Sequence, residues 1–416
     1  MSKIANVIFA LTLGLLLTTK ALARDTVESP TDFTYGILNT NLDYSRMMFD
    51  RQIYVTDKMM RYQQARADGT LNDDAIYIGG RGVATYMREH TNTPGKFPIL
   101  SRLPTQHTSG RNGNEFVIND ASINLSAHSG WVSFFGQGEY TEVEYPGQDE
   151  FQWRKYSIIL GNLRNFPFYL AFGRNTVDFG NFTTYAPFTH NHNSHYFWSQ
   201  SDDPHFELGY VATNWNATFS LLPNDRGLRV IHAPDRNGYE NFAINIDGDI
   251  ALSDQLNLNL GGGFLRGSIY DSVLAHHPPG VGLDDKDWNP IWDIHATISW
   301  PRTDVMMEYT RTVDDWPATG REVSAATIQA RYHDTIATKP TIYSWSFSRG
   351  EHGKTDTEWE QMIQNIVGIE TRILPNVEIG AEYVFNAGFV PLIRPRVTGD
   401  RGVRSHTIIL GAEITF

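Results

Sequence analysis

The first feature that could carry chemistry is the stretch Tyr185-Ala-Pro-Phe-Thr-His-Asn-His-Asn-Ser-His-Tyr-Phe-Trp198. It contains three imidazole side chains, those of His190, His192 and His195, within six residues. Imidazole nitrogens at this spacing could ligate a transition metal. If the stretch folds inward as a constriction, its aromatic residues, including Tyr185 and Trp198, could instead stack against an organic ligand. A surface loop with incidental histidines is the third alternative, and the spacing leaves all three open.

A second set of polar residues lies in segments where apolar and polar residues alternate. By parity these residues share the polar face of their segments, and their charges are mixed with acids in excess. Rings of charge set the selectivity of an aqueous pore, whereas the alternative is that they only hydrate a wide channel. The candidate lumen residues are Lys155, Asp293, His295, Glu308, Arg331, Arg372, Glu378 and Glu382.

Catalytic motifs give no support for an enzyme. The sequence contains no Gly-x-Ser-x-Gly elbow, no His-Glu-x-x-His pair and no phosphate-binding Gly-rich loop. Gly261-Gly-Gly263 lies within an alternating segment, so we interpret it as a place of close backbone approach or curvature. We predict that the protein is not an enzyme and has no resident cofactor or metal. The net charge of -13 also argues against nucleic acid as a partner.

The elements that must position these residues are β-strands. Over residues 403–416, every second residue from the end is apolar, namely Phe416, Ile414, Ala412, Leu410 and Ile408. A period of two indicates a strand whose faces meet different surroundings. About sixteen such segments are predicted, an even number typical of a transmembrane barrel. They lie near 76–89, 115–128, 130–144, 151–162, 166–178, 205–213, 214–223, 240–253, 255–271, 290–300, 303–314, 321–334, 339–350, 363–374, 376–389 and 403–416.

The connections between these segments alternate in length. Residues 128–130, 163–165 and 301–302 are short, whereas 90–114 and 179–204 are long. Bacterial outer-membrane barrels have tight periplasmic turns and long outer loops, which gives this alternation. We therefore predict an all-β fold, an antiparallel up-and-down transmembrane β-barrel over residues 76–416. Outer-membrane lipid is the partner that such a barrel requires.

The region before the barrel divides into two parts. Lys3, an apolar run from Ile4 to Leu17 and an Ala-x-Ala end at Ala23 are typical of a signal peptide, so residues 1–23 are predicted to be cleaved on export. Without cysteine the protein is neither disulfide-bonded nor a lipoprotein. Residues 24–75 are predicted to be partly helical, with a helix over 56–68 that ends before Gly69. A periplasmic neck, an oligomerisation helix and a plug remain open for this part.

One run resembles a known family. Ala65-Arg-Ala-Asp-Gly-Thr-Leu-Asn-Asp-Asp-Ala-Ile-Tyr-Ile-Gly-Gly80 resembles the junction of helix and first strand in the LbtU-type siderophore porins. The exported start, the strand layout and the terminal Phe are also similar. The resemblance implies an outer-membrane porin that takes up a ferric siderophore without energy-coupling machinery, and it implies no particular ligand residues. A general or solute-selective diffusion porin for other small molecules is the alternative, followed by a non-transporting adhesion or structural barrel. Assembly as a homotrimer stays open.

Overall fold

The computed structural model describes residues 32–99, 109–143, 149–224, 238–271, 288–317, 319–390 and 399–416. The predicted signal peptide, residues 1–23, lies outside the described residues. Two short strands come first, β1 (Thr34–Tyr35) and β2 (Leu38–Asn39), and helices α1 (Leu42–Phe49) and α2 (Lys58–Ala67) follow them. A third short helix, α3 (His192–Phe197), lies between β7 and β8. None of the helices in the described ranges is both long and apolar enough to cross a bilayer.

The remaining strands make up most of the chain. They are β3 (Ala75–Thr91), β4 (Asn112–Ser129), β5 (Val132–Tyr140), β6 (Phe151–Gly161), β7 (Phe168–Arg174), β8 (His205–Val211), β9 (Trp215–Leu222), β10 (Asn241–Ser253), β11 (Leu256–Leu265), β12 (Ile291–Trp300), β13 (Thr303–Thr312), β14 (Ser324–Ile336), β15 (Lys339–Glu351), β16 (Gln361–Leu374), β17 (Val377–Ala387) and β18 (Arg404–Thr415).

Strands β3 to β18 form a closed antiparallel barrel. Each strand pairs with its neighbour along the chain, and β18 returns to pair with β3, where Ile409 lies opposite Met87. Closure leaves no unpaired strand edge. The prediction of a sixteen-stranded up-and-down barrel is confirmed.

The two faces of the barrel wall differ in polarity. On β18, Ile408 and Leu410 are exposed on the outside, while Thr407 and Ile409 are buried on the inside. Other large apolar side chains on the outer surface are Ile158, Leu160, Phe172, Leu208, Ile246, Ile294 and Val367. An apolar belt outside a polar interior is typical of a barrel that contacts lipid.

The last residue closes the barrel at its seam. The backbone N–H of Phe416 donates to the Gly80 carbonyl at 2.9 Å, and the Gly80 N–H donates to the Phe416 carbonyl at 2.9 Å. A Cβ atom on Gly80 would lie 2.2 Å from the Phe416 ring. The glycine is therefore required for the terminal ring to pack against β3.

Helices α1 and α2, which precede β3, lie inside the barrel. We call residues 32–74 the N-terminal segment. The Tyr44 hydroxyl is 2.6 Å from the Ser126 hydroxyl of β4, and the Tyr62 hydroxyl donates to the Ala127 carbonyl at 3.2 Å. The Arg66 guanidinium donates to Ser133 Oγ at 2.6 Å and to the Gly130 carbonyl in the short β4–β5 turn. The segment thus occupies the end of the lumen where the turns are short, which we call the turn end.

A local sequence signal marks one end of each helix in this segment. The predicted helix over 56–68 is confirmed as α2, and Gly69, with φ +87, follows it. Helix α1 was not predicted, because the β-prone run Ile53-Tyr54-Val55-Thr56 separates it from the predicted helix over 56–68. It begins where the Asn41 side chain accepts the Tyr44 N–H, an N-cap that satisfies one free amide of the first turn.

Candidate functional site

The connection between β7 and β8, residues 175–204, folds into the lumen, and we call it the third loop. Its backbone is held by the carboxylates of two predicted lumen residues. Glu308 Oε1 accepts the N–H groups of Asn181 at 3.0 Å and Phe182 at 2.8 Å. Glu382 Oε1 accepts the N–H groups of Phe188 and Thr189. These charge-assisted bonds fix the path of the loop across the lumen.

A further polar contact places α3 against the wall. The buried Asn193 side chain donates to Thr310 Oγ1 at 2.8 Å and accepts the Thr327 hydroxyl at 2.6 Å. As a result, the three histidines of the loop have different surroundings. His190 is half-buried and lines a cavity, His192 is buried beside Tyr196, and His195 is exposed. The described structure does not gather these three side chains into one metal-ligand set.

A cavity lies between the N-terminal segment, the third loop and the wall, and we call it the basic pocket. The empty space in and around it amounts to about 460 Å³, part of which is open solvent. Arg51 Nη1 is 3.3 Å from Glu139 Oε1, and Arg154 Nε is 3.9 Å from the same oxygen. Its lining residues are Met48, Phe49, Asp50, Arg51, Val55, Gln137, Glu139, Arg154, Lys155, Thr176, His190, Ser194, Trp198 and Gln200. Three cationic side chains therefore share this pocket with two carboxylates.

A β-bulge explains why two consecutive basic residues face the same pocket. The register between β5 and β6 shifts, so that Gln137 pairs with Lys155 and Gly138 pairs with Trp153. Arg154 is the extra residue, and a bulge of this kind re-aims a side chain. Strict alternation puts only Lys155 inward, so sequence parity missed Arg154.

Trp198, the last residue of the histidine-rich stretch, also lies at this pocket. The Arg154 guanidinium carbon is 5.8 Å from the centre of its ring, within the range of a cation–π contact. The pocket thus combines cations with an aromatic face, an arrangement that can bind an organic anion.

The N-terminal segment and the third loop are hydrogen-bonded to each other. Gln52 Nε2 donates to the Ala186 carbonyl at 2.9 Å, and the Gln52 carbonyl accepts the Thr184 N–H at 2.7 Å. Thr56 Oγ1 donates to the Gly180 carbonyl at 3.0 Å. Sequence reasoning gave no signal for these contacts, because they join residues far apart in the chain.

One buried cation belongs to the N-terminal segment itself. The Lys58 ammonium donates to the carbonyl oxygens of Met47 and Ile53. Burial lowers the pKa of Lys58 to about 8. These bonds hold the start of α2 against the last turn of α1 and the residues that follow it.

The other predicted lumen residues pair locally. Arg331 donates to Asp304 at 2.7 Å and lies 4.6 Å from the ring centre of Tyr185, which is buried in the third loop. Arg372 donates to Glu378 at 2.7 Å. Glu378 is also 3.6 Å from Arg46 of α1, so this pair contacts the N-terminal segment at the turn end.

Asp293, His295 and Glu308 form a compact buried group. His295 Nδ1 is 2.8 Å from Asp293 Oδ1, and His295 Nε2 is 2.7 Å from Asp247 Oδ1. One ligand atom each from Asp293, His295 and Glu308 lies within 4.8 Å of the others, close enough to hold a metal ion. A Cβ on Gly261 would be 2.2 Å from His295 Nε2 and 2.3 Å from Asp247 Oδ1. Our interpretation of the glycine run as a place of close approach is confirmed here.

Solved structures with the same architecture are outer-membrane channels. Pseudomonas putida OprB at high pH superposes with a TM-score of 0.57 at 9% identity, covering 88% of this chain and 98% of that chain. Salmonella typhi OmpF in complex with daunomycin superposes with a TM-score of 0.54 at 9% identity, covering 82% of this chain and 98% of that chain. The anion-selective porin from Comamonas acidovorans superposes with a TM-score of 0.52 at 10% identity, covering 82% of this chain and 99% of that chain.

This chain has the porin fold. Identities this low support the fold alone, so the solute of this porin-fold barrel must be argued from its own residues. No family model and no curated protein matches the sequence.

Proposed function

We propose that the protein is an outer-membrane porin that passes small anionic solutes through a lumen narrowed by the N-terminal segment and the third loop. The apolar outer belt and polar interior support the membrane location and the channel. The predicted signal peptide supplies the export that this location needs. Assembly as a homotrimer, which the sequence leaves open, is a further proposal, with the oligomeric state in detergent as its test.

The observation that carries the choice of solute is the basic pocket. Arg51, Arg154 and Lys155 line the open space between the two inserted segments. The wall carboxylates Glu308 and Glu382 are turned instead to the backbone of the third loop, where they accept its amides. Charges that line the accessible part of a pore set its selectivity. An anion that enters the pocket therefore meets cations, while these two acids are covered.

Within this class we propose a ferric siderophore as the solute, taken up without energy coupling. A ferric chelate with carboxylate or catecholate donors carries net negative charge, and a catecholate also presents a flat aromatic ring. Arg154 and Lys155 provide the matching charge, and Trp198 provides an aromatic face. The resemblance of residues 65–80 to the siderophore porins supports the same choice. A porin for other small organic anions is the alternative, because the side chains of the pocket recognise negative charge and do not contact iron itself.

Permeation into liposomes tests the channel and its solute class. Proteoliposomes with the purified protein should admit ferric citrate, whereas the Arg154→Gln/Lys155→Gln variant should admit it more slowly and still pass a small neutral sugar. Lys339→Gln, which removes an exposed cation at the turn end, is the matched control. Equal rates for ferric citrate in all three proteins would contradict anion selection by the pocket.

Uptake in cells separates the siderophore from other anions. A strain that carries the protein should accumulate radioactive iron supplied as a siderophore complex faster than a strain without it, and the difference should persist when the membrane is de-energised. Equal iron accumulation in the two strains, together with faster entry of other organic anions, would favour the alternative.

A further inference from the structure

The group Asp293, His295 and Glu308 lies apart from the residues that line the basic pocket. Asp293 and His295 are on β12, and Glu308 is on β13, directly opposite His295 in the strand register. All three side chains are buried on the lumen side, under the part of the third loop that contains Asn181 and Phe182. We propose that they bind a divalent transition metal ion that fastens the third loop to the barrel wall. This inference goes beyond the proposed transport function.

An unpartnered oxygen of Glu308 points to a ligand. Glu308 Oε1 accepts two loop amides, but the buried Glu308 Oε2 has no hydrogen-bond partner, and the residue is 3% exposed. Glu382 is the matching residue at the other side of the loop, and its Oε2 accepts the Thr189 hydroxyl at 2.7 Å. A buried carboxylate oxygen without a donor is costly. A bound cation at Glu308 would supply the missing partner.

The charges of the group also call for a cation. Asp247, Asp293 and Glu308 contribute three carboxylates around the single imidazole of His295. The positive charge of Arg61 also attracts Asp247, but the Arg61 guanidinium forms its ion pair with Asp57 at 2.7 Å. A divalent ion bound among these buried carboxyl groups would supply the positive charge that such a group needs.

The partners of the imidazole prepare it as a ligand. Asp247 Oδ1 accepts a hydrogen bond from His295 Nε2. Gly261 lies between these two residues in the strand register, and any side chain there would collide with both of them. A carboxylate on the far nitrogen of a metal-binding histidine fixes its tautomer, which turns the Nδ1 lone pair toward Asp293. One imidazole nitrogen and two carboxylate oxygens suit Zn²⁺ and similar ions, and three protein ligands leave a position for water.

Zinc content of the purified full chain tests the proposal. The protein is produced without a histidine tag, folded in detergent, loaded with Zn²⁺ and dialysed, and zinc per chain is measured by mass spectrometry. We expect Glu308→Gln and His295→Gln to hold about one Zn²⁺ fewer per chain than wild type. Glu382→Gln, which changes the matching loop-binding carboxylate, should retain the wild-type content. Equal zinc in Glu308→Gln and wild type, or none in either, would overturn the site.

Two further measurements keep the proposal falsifiable if a ligand variant does not fold. Asp247→Asn leaves the three ligands in place, changes the partner of the far nitrogen and should weaken zinc binding about 10–100-fold. In wild-type crystals soaked with Zn²⁺, anomalous density should appear between Asp293, His295 and Glu308. Density only at exposed histidines such as His195, or no density, would reject the site. Since these readouts do not involve transport, their failure would leave the proposed channel function standing.

Discussion

The side-chain amide of Gln52 donates a hydrogen bond to the carbonyl oxygen of Ala186 at 2.9 Å. This bond joins the N-terminal segment to the third loop inside the barrel. The basic pocket lies where these two inserted segments meet the wall, between Arg51 of the first, His190 of the second and Lys155 of β6. The size and charge of the pocket therefore depend on both segments staying in place.

Removing the N-terminal segment should widen the channel. Deletion of residues 41–71 takes α1 and α2 out of the lumen, so we expect single-channel conductance in planar bilayers to rise about twofold or more. Deletion of residues 33–39, which removes only the short hairpin of β1 and β2, should leave conductance close to wild type. Conductance that does not change on removal of both helices would mean that they do not limit the pore.

Neutralising the two basic residues of the bulge should reduce anion preference. In the Arg154→Gln/Lys155→Gln variant the pocket keeps Glu139 and loses two of its three cations. The reversal potential under a salt gradient should therefore shift toward cation selectivity. Lys339→Gln should keep the wild-type reversal potential, and a shift of the same size in that control would place the selectivity outside the pocket.

A side chain at Gly261 should destabilise the wall beneath the third loop. In Gly261→Ala the new methyl group would collide with His295 and Asp247, and we expect a loss of about 1–3 kcal/mol in unfolding free energy. Gly248→Ala, on β10, is the control, since its nearest neighbour would lie 3.6 Å away. Urea unfolding in detergent micelles measures both. Equal stability of the two variants would contradict the close approach at Gly261.

Two buried histidines, His192 in α3 and His352 beside α3, should make the stability of the third loop sensitive to acid. His352 lies 4.1 Å from Tyr196, between ring centres, and burial lowers the pKa of His352 to about 3. Burial, with His195 and His352 nearby, lowers the pKa of His192 well below its usual value. An unfolded histidine gains its proton near pH 6.5, so the folded state loses stability as the pH falls from about 6.5 toward about 3.

Replacing one of these histidines should flatten the pH dependence. In His352→Phe, which keeps a ring against Tyr196, the loss of stability between pH 6.5 and 4 should shrink by about 1.4 kcal/mol per pH unit. Thermal unfolding at a series of pH values measures this change. His90→Phe, which replaces an exposed histidine, is the control. A wild-type profile in His352→Phe would exclude His352 as a source of acid sensitivity.

The barrel could be predicted from the sequence because strands and their connections leave local signals. The alternation at Ile408 and Leu410 and the short turn at Gly130 each depend on neighbours in the chain. Arg154 was missed because a bulge shifts parity by one residue, and the sequence carries no mark of its position. Helix α1 was missed because the β-prone residues 53–56 interrupt the helical pattern that follows it.

The candidate site was predicted only as a set of residue types. Parity indicated that Glu308 and Glu382 face inward, but their partners, the amides of Phe182 and Thr189, lie in another part of the chain. The histidine-rich stretch suggested a shared role for its three imidazoles, yet the turn of α3 directs His192 into the core and leaves His195 exposed. Contacts of this kind depend on how the loop crosses the lumen, which the sequence pattern does not encode.

The most direct test of the account is the reversal potential of the wild-type protein in a planar bilayer under a potassium chloride gradient. If the basic pocket between the N-terminal segment and the third loop limits permeation, the protein should form channels whose reversal potential indicates preference for chloride. A cation-selective channel, or a bilayer in which the folded protein conducts no ions, would contradict it.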